Sequence, residues 1–228
     1  MTQTDLVIFD CDGVLVDSEI IASRVEADLL TEAGYPISAE ELAETYAGLT
    51  FRDILLRIEE KANIPLQSSL IDRAEKINDH RLATEVLAIE GAHEAVAAVT
   101  TQRCICSNSS AHRLDAMLTR TRLKPLFEGR IFSAKETPTR RPKPAPDVFL
   151  HAAATLGADP RRTFVLEDSV HGIHGAKTAG MRVIGFTGAS HSYPGHADAL
   201  TDAGAETVIR RWADLRAVLA ALSEWSDA

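Results

Sequence analysis

The chain has 228 residues, 45% hydrophobic and 25% charged, an ordinary globular composition that excludes disorder and allows one large domain or two unequal ones. Its 24 Lys and Arg against 33 Asp and Glu leave a net charge of −9. That balance argues against a general nucleic-acid binder, and it means that an anionic ligand needs a local pocket of positive charge.

Three cysteines, Cys11, Cys104 and Cys106, fit neither a disulfide framework nor a zinc site and suit a reduced, cytoplasmic protein. The opening residues carry no basic stretch followed by an apolar one, and no apolar run approaches about 18 residues. A soluble chain that is not exported and has no membrane partner is expected.

In chain order, Leu6-Val-Ile-Phe-Asp10 reads as a buried parallel strand ending in an acid, and Cys11-Asp12-Gly13 as the turn that breaks it. From about Ser18 to Val86 there is no strand pattern but three or four amphipathic helices. Val25, Leu29 and Leu30 belong to the first, which Gly34 ends, and Ile54, Leu55 and Ile58 belong to a later one. Leu66–Ile71, after Pro65, opens the last. This insertion predicts a helical domain over residues 17–86, set on a core of 1–16 and 87–228, with hinges near Val14–Ser18 and Leu87–Gly91.

The core pattern then resumes. Arg103–Ser107 reads as a strand on which Cys104 and Cys106 share one buried face. Ala111–Thr121 is helical, with Leu114, Met117 and Leu118 at helix spacing, and Pro144–Leu156 is helical with Gly157 as its stop. Thr163–Asp168 is a strand ending in two acids, and Val170–Ala179 is a helix. Val183–Phe186 and Thr207–Ile209 are further strands, and Trp212–Leu222 is the last helix. Strands alternating with helices predict an α/β fold, a doubly wound, Rossmann-like parallel sheet.

Ligands of such sheets sit beyond the carboxyl ends of the strands. Asp10 and Asp12, Ser107 and Asn108, and Glu167 and Asp168 fall there. Carboxylates converging on one point repel each other unless a hard cation with oxygen ligands relieves them, and Mg²⁺ suits that role. Lys143, in Arg140-Arg-Pro-Lys-Pro-Ala-Pro146, supplies the local positive charge, with Arg140 and Arg141 beside it.

Four motifs in order carry a family resemblance. Asp10-Cys-Asp-Gly-Val-Leu-Val-Asp17 resembles the first motif of the haloacid dehalogenase superfamily. Ser107 resembles the second, Lys143 in Lys-Pro-Ala-Pro-Asp the third, and Glu167-Asp168 with Ser169 and Gly172 the fourth. The helical insertion lies where one branch carries its cap.

The resemblance implies a phosphatase with Asp10 as nucleophile, Asp12 as general acid and base, and Ser107 and Lys143 as the remaining catalytic groups. It implies Mg²⁺ held by Asp10, the Asp12 carbonyl and Asp168, with Glu167 helping directly or through water. Cys11, Asp12 and Gly13 in the turn, with Ser107, Asn108 and Lys143, are the implied phosphate-binding residues. The implied partner is a small phosphorylated metabolite, a sugar or polyol phosphate, with neither nucleic acid nor membrane; the oligomeric state is open.

The β-phosphoglucomutase type is the rival, but it carries a His where this chain has Ala22, and its phosphate-gripping cap Arg has no match in register, Arg52 being one position out of step. A sensor that binds without turnover is a weaker alternative. His171 and His174 read as capping or surface groups, and Arg52, Lys76 and His80 as solvated helix faces.

Overall fold

A computed structural model describes residues 4–46, 49–62 and 68–224 of the chain. Six strands, β1 (Leu6–Phe9), β2 (Gln102–Ser107), β3 (Ile131–Ser133), β4 (Thr163–Glu167), β5 (Arg182–Phe186) and β6 (Thr207–Ile209), form one sheet in the order β3-β2-β1-β4-β5-β6. All neighbours pair in parallel. This is the doubly wound order expected, and it reverses direction between β1 and β4.

The period of two decides which core each side chain enters. Val7 and Phe9 face one apolar layer with Ile105, Leu166 and Trp212. Leu6 and Ile8 face the other with Cys104, Cys106, Val165 and Val183. The two cysteines therefore share a buried face, as read from the sequence, and all three thiols are free.

Helices α1 (Glu19–Glu32), α2 (Ala39–Thr45), α3 (Phe51–Ala62) and α4 (Ser69–Glu85) follow β1. Val25, Leu29, Leu30, Leu42, Ile54, Leu55 and Ile58 close around each other as a third apolar cluster. The feet of α1 and α4, at Ile21 and Leu82, join the first sheet layer instead. The two connections run side by side: Val16 bridges Ala88 antiparallel, the Asp17 N–H donates to the Leu87 carbonyl at 3.0 Å, and the Ile89 N–H donates to the Leu15 carbonyl at 3.0 Å. The proposed start of the last inserted helix at Leu66 lies outside the described residues, as do Ala47 and Gly48.

The remaining helices are α5 (Ala92–Ala98), α6 (Ala111–Arg120), α7 (Asp147–Leu156), α8 (Val170–Thr178), α9 (His196–Asp202) and α10 (Leu215–Glu224). Three expectations need correction. The helix expected from Pro144 begins at Asp147, because prolines 144 and 146 hold the chain in a turn in which the Ala145 N–H bonds the Pro142 carbonyl. The helix expected from Trp212 opens as a 3₁₀ turn over Trp212–Asp214 before α10. Strand β3 and helices α5 and α9 were not anticipated; at three, seven and seven residues they are too short to show a period.

Candidate active site

Asp10 follows β1 directly, and its N–H donates to the Leu166 carbonyl on β4 at 2.9 Å, so sheet pairing fixes its backbone. The next residues fold back on themselves: Leu15 and Val16 both donate to the Cys11 carbonyl, and the Gly13 N–H donates to the Val16 carbonyl at 2.9 Å. Gly13 has φ +71, and a Cβ there would stand 1.9 Å from Asp168 Oδ2 and 2.7 Å from His191 Cε1. Only glycine fits a turn that brings two strand ends so close. Burial pushes the Cys11 thiol well up, with Asp12 and Asp10 adding to it; its side chain belongs to the apolar layer, and Cys11 is not on the wall of the cavity described below.

Lys143 is the hub. Its Nζ donates to Asp10 Oδ1 at 2.5 Å, Glu167 Oε1 at 2.6 Å and the Cys106 carbonyl at 2.7 Å, and it stands 5.0 Å from the Phe149 ring centre. Its peptide is clamped by the Asn108 side chain, whose Oδ1 accepts from the Lys143 N–H at 2.8 Å. Burial alone would disfavour the ammonium, but the Asp10 and Glu167 carboxylates outweigh it and raise the Lys143 pKa. Glu167 is buried; Oε1 faces Lys143, while Oε2 accepts from the Ser169 N–H at 3.1 Å and hydroxyl at 2.9 Å. Gly172, one turn into α8, makes the room, since a Cβ there would fall 1.9 Å from the Glu167 carboxyl. Ser169 also caps α8 by accepting from the Gly172 N–H at 3.0 Å.

Asp12 is held by three hydroxyls from two segments: Ser18 donates to Oδ1 at 2.8 Å, and Ser109 at 2.8 Å and Ser107 at 3.2 Å donate to Oδ2. Asp168 pairs with His191 Nε2 at 3.0 Å, and its carbonyl contacts His196 Nε2 at 2.7 Å. Burial works against a charged His191, but Asp168, with Glu19 and Asp17, outweighs it, and the pKa is raised.

Carboxylate oxygens of Asp10, Glu167 and Asp168 lie within 4.8 Å of one another. Burial pushes the Asp10 pKa well up; Lys143 opposes this, while Glu167, Asp168 and Asp12 add to it. A single lysine thus leaves this acid cluster under-neutralised, and its hard oxygen donors fit a divalent cation. No other group of three such ligands occurs among the described residues.

The sites expected at residues 10, 12, 107, 108, 143, 167 and 168 converge on one cavity of about 780 Å³. Arg140 and Arg141 do not join them. Both are exposed, and Arg141 turns outward to Asp147 at 2.8 Å, because the proline turn directs Lys143 inward and the arginines to solvent. The other cations on the cavity wall are Arg113, paired with Asp79 at 2.7 Å, and the exposed Lys135. Arg52, Lys76 and His80 are exposed and absent from its wall; His171 is exposed on it, and His174 is exposed away from it.

Sequence reasoning missed Ser18, Ser109, Glu19, His191 and His196. The two histidines had a readable signal, since they lie in the loop beyond β5, another carboxyl end of the sheet.

The family model described as haloacid dehalogenase-like hydrolase matches residues 7–186. A haloacid dehalogenase-like protein of unknown function from Agrobacterium tumefaciens, known as a crystal structure, is 63% identical, with 96% of this chain and 99% of that chain covered and a TM-score of 0.92. Hexitol phosphatase B of Escherichia coli is 33% identical over 189 residues, 78% of this chain and 81% of its own. The 6-phosphogluconate phosphatase of Escherichia coli is 29% identical over 195 residues, 85% of this chain and 87% of its own.

Proposed function

Because the chain belongs to the haloacid dehalogenase-like hydrolases, and among them to the phosphoric monoester hydrolases, we propose that it uses Asp10 and Mg²⁺ to remove phosphate from a small sugar or polyol phosphate. The observation that carries this reading is the meeting of Asp10, Lys143 and the adjacent Glu167 and Asp168, from three places in the chain, in one buried cluster beneath the cavity.

Asp10 Oδ attacks phosphorus in line, forming an aspartyl-phosphate as the bond to the leaving oxygen breaks. Asp12, oriented by its three hydroxyl donors, gives that oxygen a proton. The resulting Asp12 carboxylate then takes a proton from water, which attacks the same phosphorus and frees Asp10 and inorganic phosphate. Lys143, the Ser107 hydroxyl and the Asn108 N–H hold the phosphoryl oxygens. Bound Mg²⁺ would neutralise charge on those oxygens, held by Asp10, the Asp12 carbonyl and Asp168, with Glu167 directly or through water. The helical layer over residues 17–86 is read as a cap domain that closes about the paired connections at Val16 and Ala88.

Hydrolysis is favoured over phosphosugar isomerisation because Ala22, on the cavity wall, offers no group to take up a sugar proton where the mutases carry histidine. With p-nitrophenyl phosphate the expected outcome is phenolate release that needs Mg²⁺ and stops with chelator. Asp10→Asn is expected to lower kcat about 10⁴-fold or more without loss of fold. Full turnover by that variant, or isomerisation of β-glucose 1-phosphate without phosphate release, would overturn the proposal.

A further inference from the structure

Helix α1 places Glu19, Ala22, Ser23 and Glu26 at positions i, i+3, i+4 and i+7, so the four share one face. That face lines a recess of about 120 Å³ together with Tyr46 and Tyr193. The recess adjoins the cavity that holds Asp10, since Glu19, Ala22 and His191 are walls of both. No Lys or Arg among the described residues lines the recess.

Among the described residues, neither Glu19 nor Glu26 has a hydrogen bond or an ion pair. Burial first, and Glu19 second, push Glu26 up to about 8; burial and then Asp12 push Glu19 up to about 7. Both acids are half-buried, so their carboxyls are partly stripped of water with no protein partner in its place, and Glu19 stands on the wall of the cavity that holds Asp10.

The chemistry of the recess selects its occupant. A carboxylate or second phosphate would meet two acids there, and the lining's one source of positive charge, His191, already has its Nε2 paired with Asp168. A hydroxyl gives a donor to a carboxylate and both a donor and an acceptor to a protonated acid, so it is satisfied in either state.

We propose that this recess is the specificity pocket, in which Glu26 and Ser23, with Glu19 at the mouth, hydrogen-bond the hydroxyls of an uncharged polyol chain whose far end carries the phosphate. The inference rests on the phosphatase reading above and sharpens it. Polyol monophosphates are accepted, and phosphorylated acids are disfavoured although a relative of similar identity takes its name from one.

The test measures kcat/KM with Mg²⁺ for glucitol 6-phosphate, 6-phosphogluconate and p-nitrophenyl phosphate in the wild type, Glu26→Ala and Ser23→Ala. Wild type is expected to favour glucitol 6-phosphate over 6-phosphogluconate by about tenfold or more. Its ratio of glucitol 6-phosphate to p-nitrophenyl phosphate is expected to fall about tenfold in Glu26→Ala and less in Ser23→Ala, chiefly through KM, because a substrate hydroxyl loses its partner. Ser23→Ala removes a single oxygen and keeps the test open if Glu26→Ala does not fold. Unchanged ratios in the folded variants, or a wild-type preference for 6-phosphogluconate, would overturn the pocket assignment alone. A wild type inert toward all three esters would overturn the phosphatase reading and the pocket with it.

Discussion

Two groups of acids border the cavity and the recess beside it, and they are treated oppositely. Below, Asp10 and Glu167 share Lys143, Asp12 takes three hydroxyls, and Asp168 takes His191. Above, on α1, Glu19 and Glu26 stand without partners among the described residues. A satisfied network has one low-energy arrangement and holds its groups in register before substrate arrives, as bond-making chemistry requires. Unsatisfied acids gain most from whatever brings hydrogen bonds to them, which is what selection of a substrate requires. Under the proposed function and pocket, the contrast separates a layer that reacts from a layer that chooses.

The contrast is broken most severely at its hub. Lys143→Ala leaves the Asp10 and Glu167 carboxyls buried without their cation, and removing one partner of a buried pair costs about 3–5 kcal/mol. In metal-free buffer with chelator the melting temperature is expected to fall by about 10 °C, using about 2–4 °C per kcal/mol for a chain of this size. Activity with p-nitrophenyl phosphate should be lost at every Mg²⁺ concentration. A variant as stable as the wild type without metal would show that the two acids are already protonated and need no lysine.

A smaller wedge tests the packing behind that hub. Gly172→Ala drives a methyl group into the Glu167 carboxyl, so either α8 shifts or Glu167 leaves Lys143. Overpacking of this kind costs about 1–3 kcal/mol. A lower melting temperature accompanied by a fall in kcat greater than any rise in KM is expected. An unchanged kcat would mean that Glu167 is not needed to hold Lys143.

The two layers were unequally legible in the sequence. Asp10, Ser107, Glu167 and Asp168 could be read because each sits at or just beyond a strand, where a run of apolar residues ends in a polar one. Lys143 came from a proline-bounded loop motif, but the inward turn of that loop did not, and so Arg140 and Arg141 were wrongly grouped with it. The partners of Asp12 were hidden for another reason. Ser18 and Ser109 look like ordinary capping residues, and only the fold brings positions 18, 107 and 109 around one carboxylate. The α1 face was visible as a helix but not as a pocket wall. Glu19 and Glu26 occupy positions that an isolated amphipathic helix would give to water, and they are covered only because α2 and the loop carrying Tyr193 pack over them.

The smallest expected effect asks whether those acids are a real burden. Glu26 is raised from about 4.5 to about 8, so between those values the folded chain binds a proton that the unfolded chain has released. Stability linked to this group is therefore full below about pH 4.5, declines as pH rises, and is lost above about pH 8. Glu26→Gln cannot ionise and escapes that loss. Compared with wild type, the variant should melt at the same temperature near pH 4.5 and a few degrees higher at pH 9. Water reaching the recess through the cavity screens part of the penalty, so the gain is expected to stay well below the Lys143 effect. Parallel pH profiles for the two proteins would mean that Glu26 ionises as freely as a surface acid, and the upper layer would then be as well satisfied as the lower one.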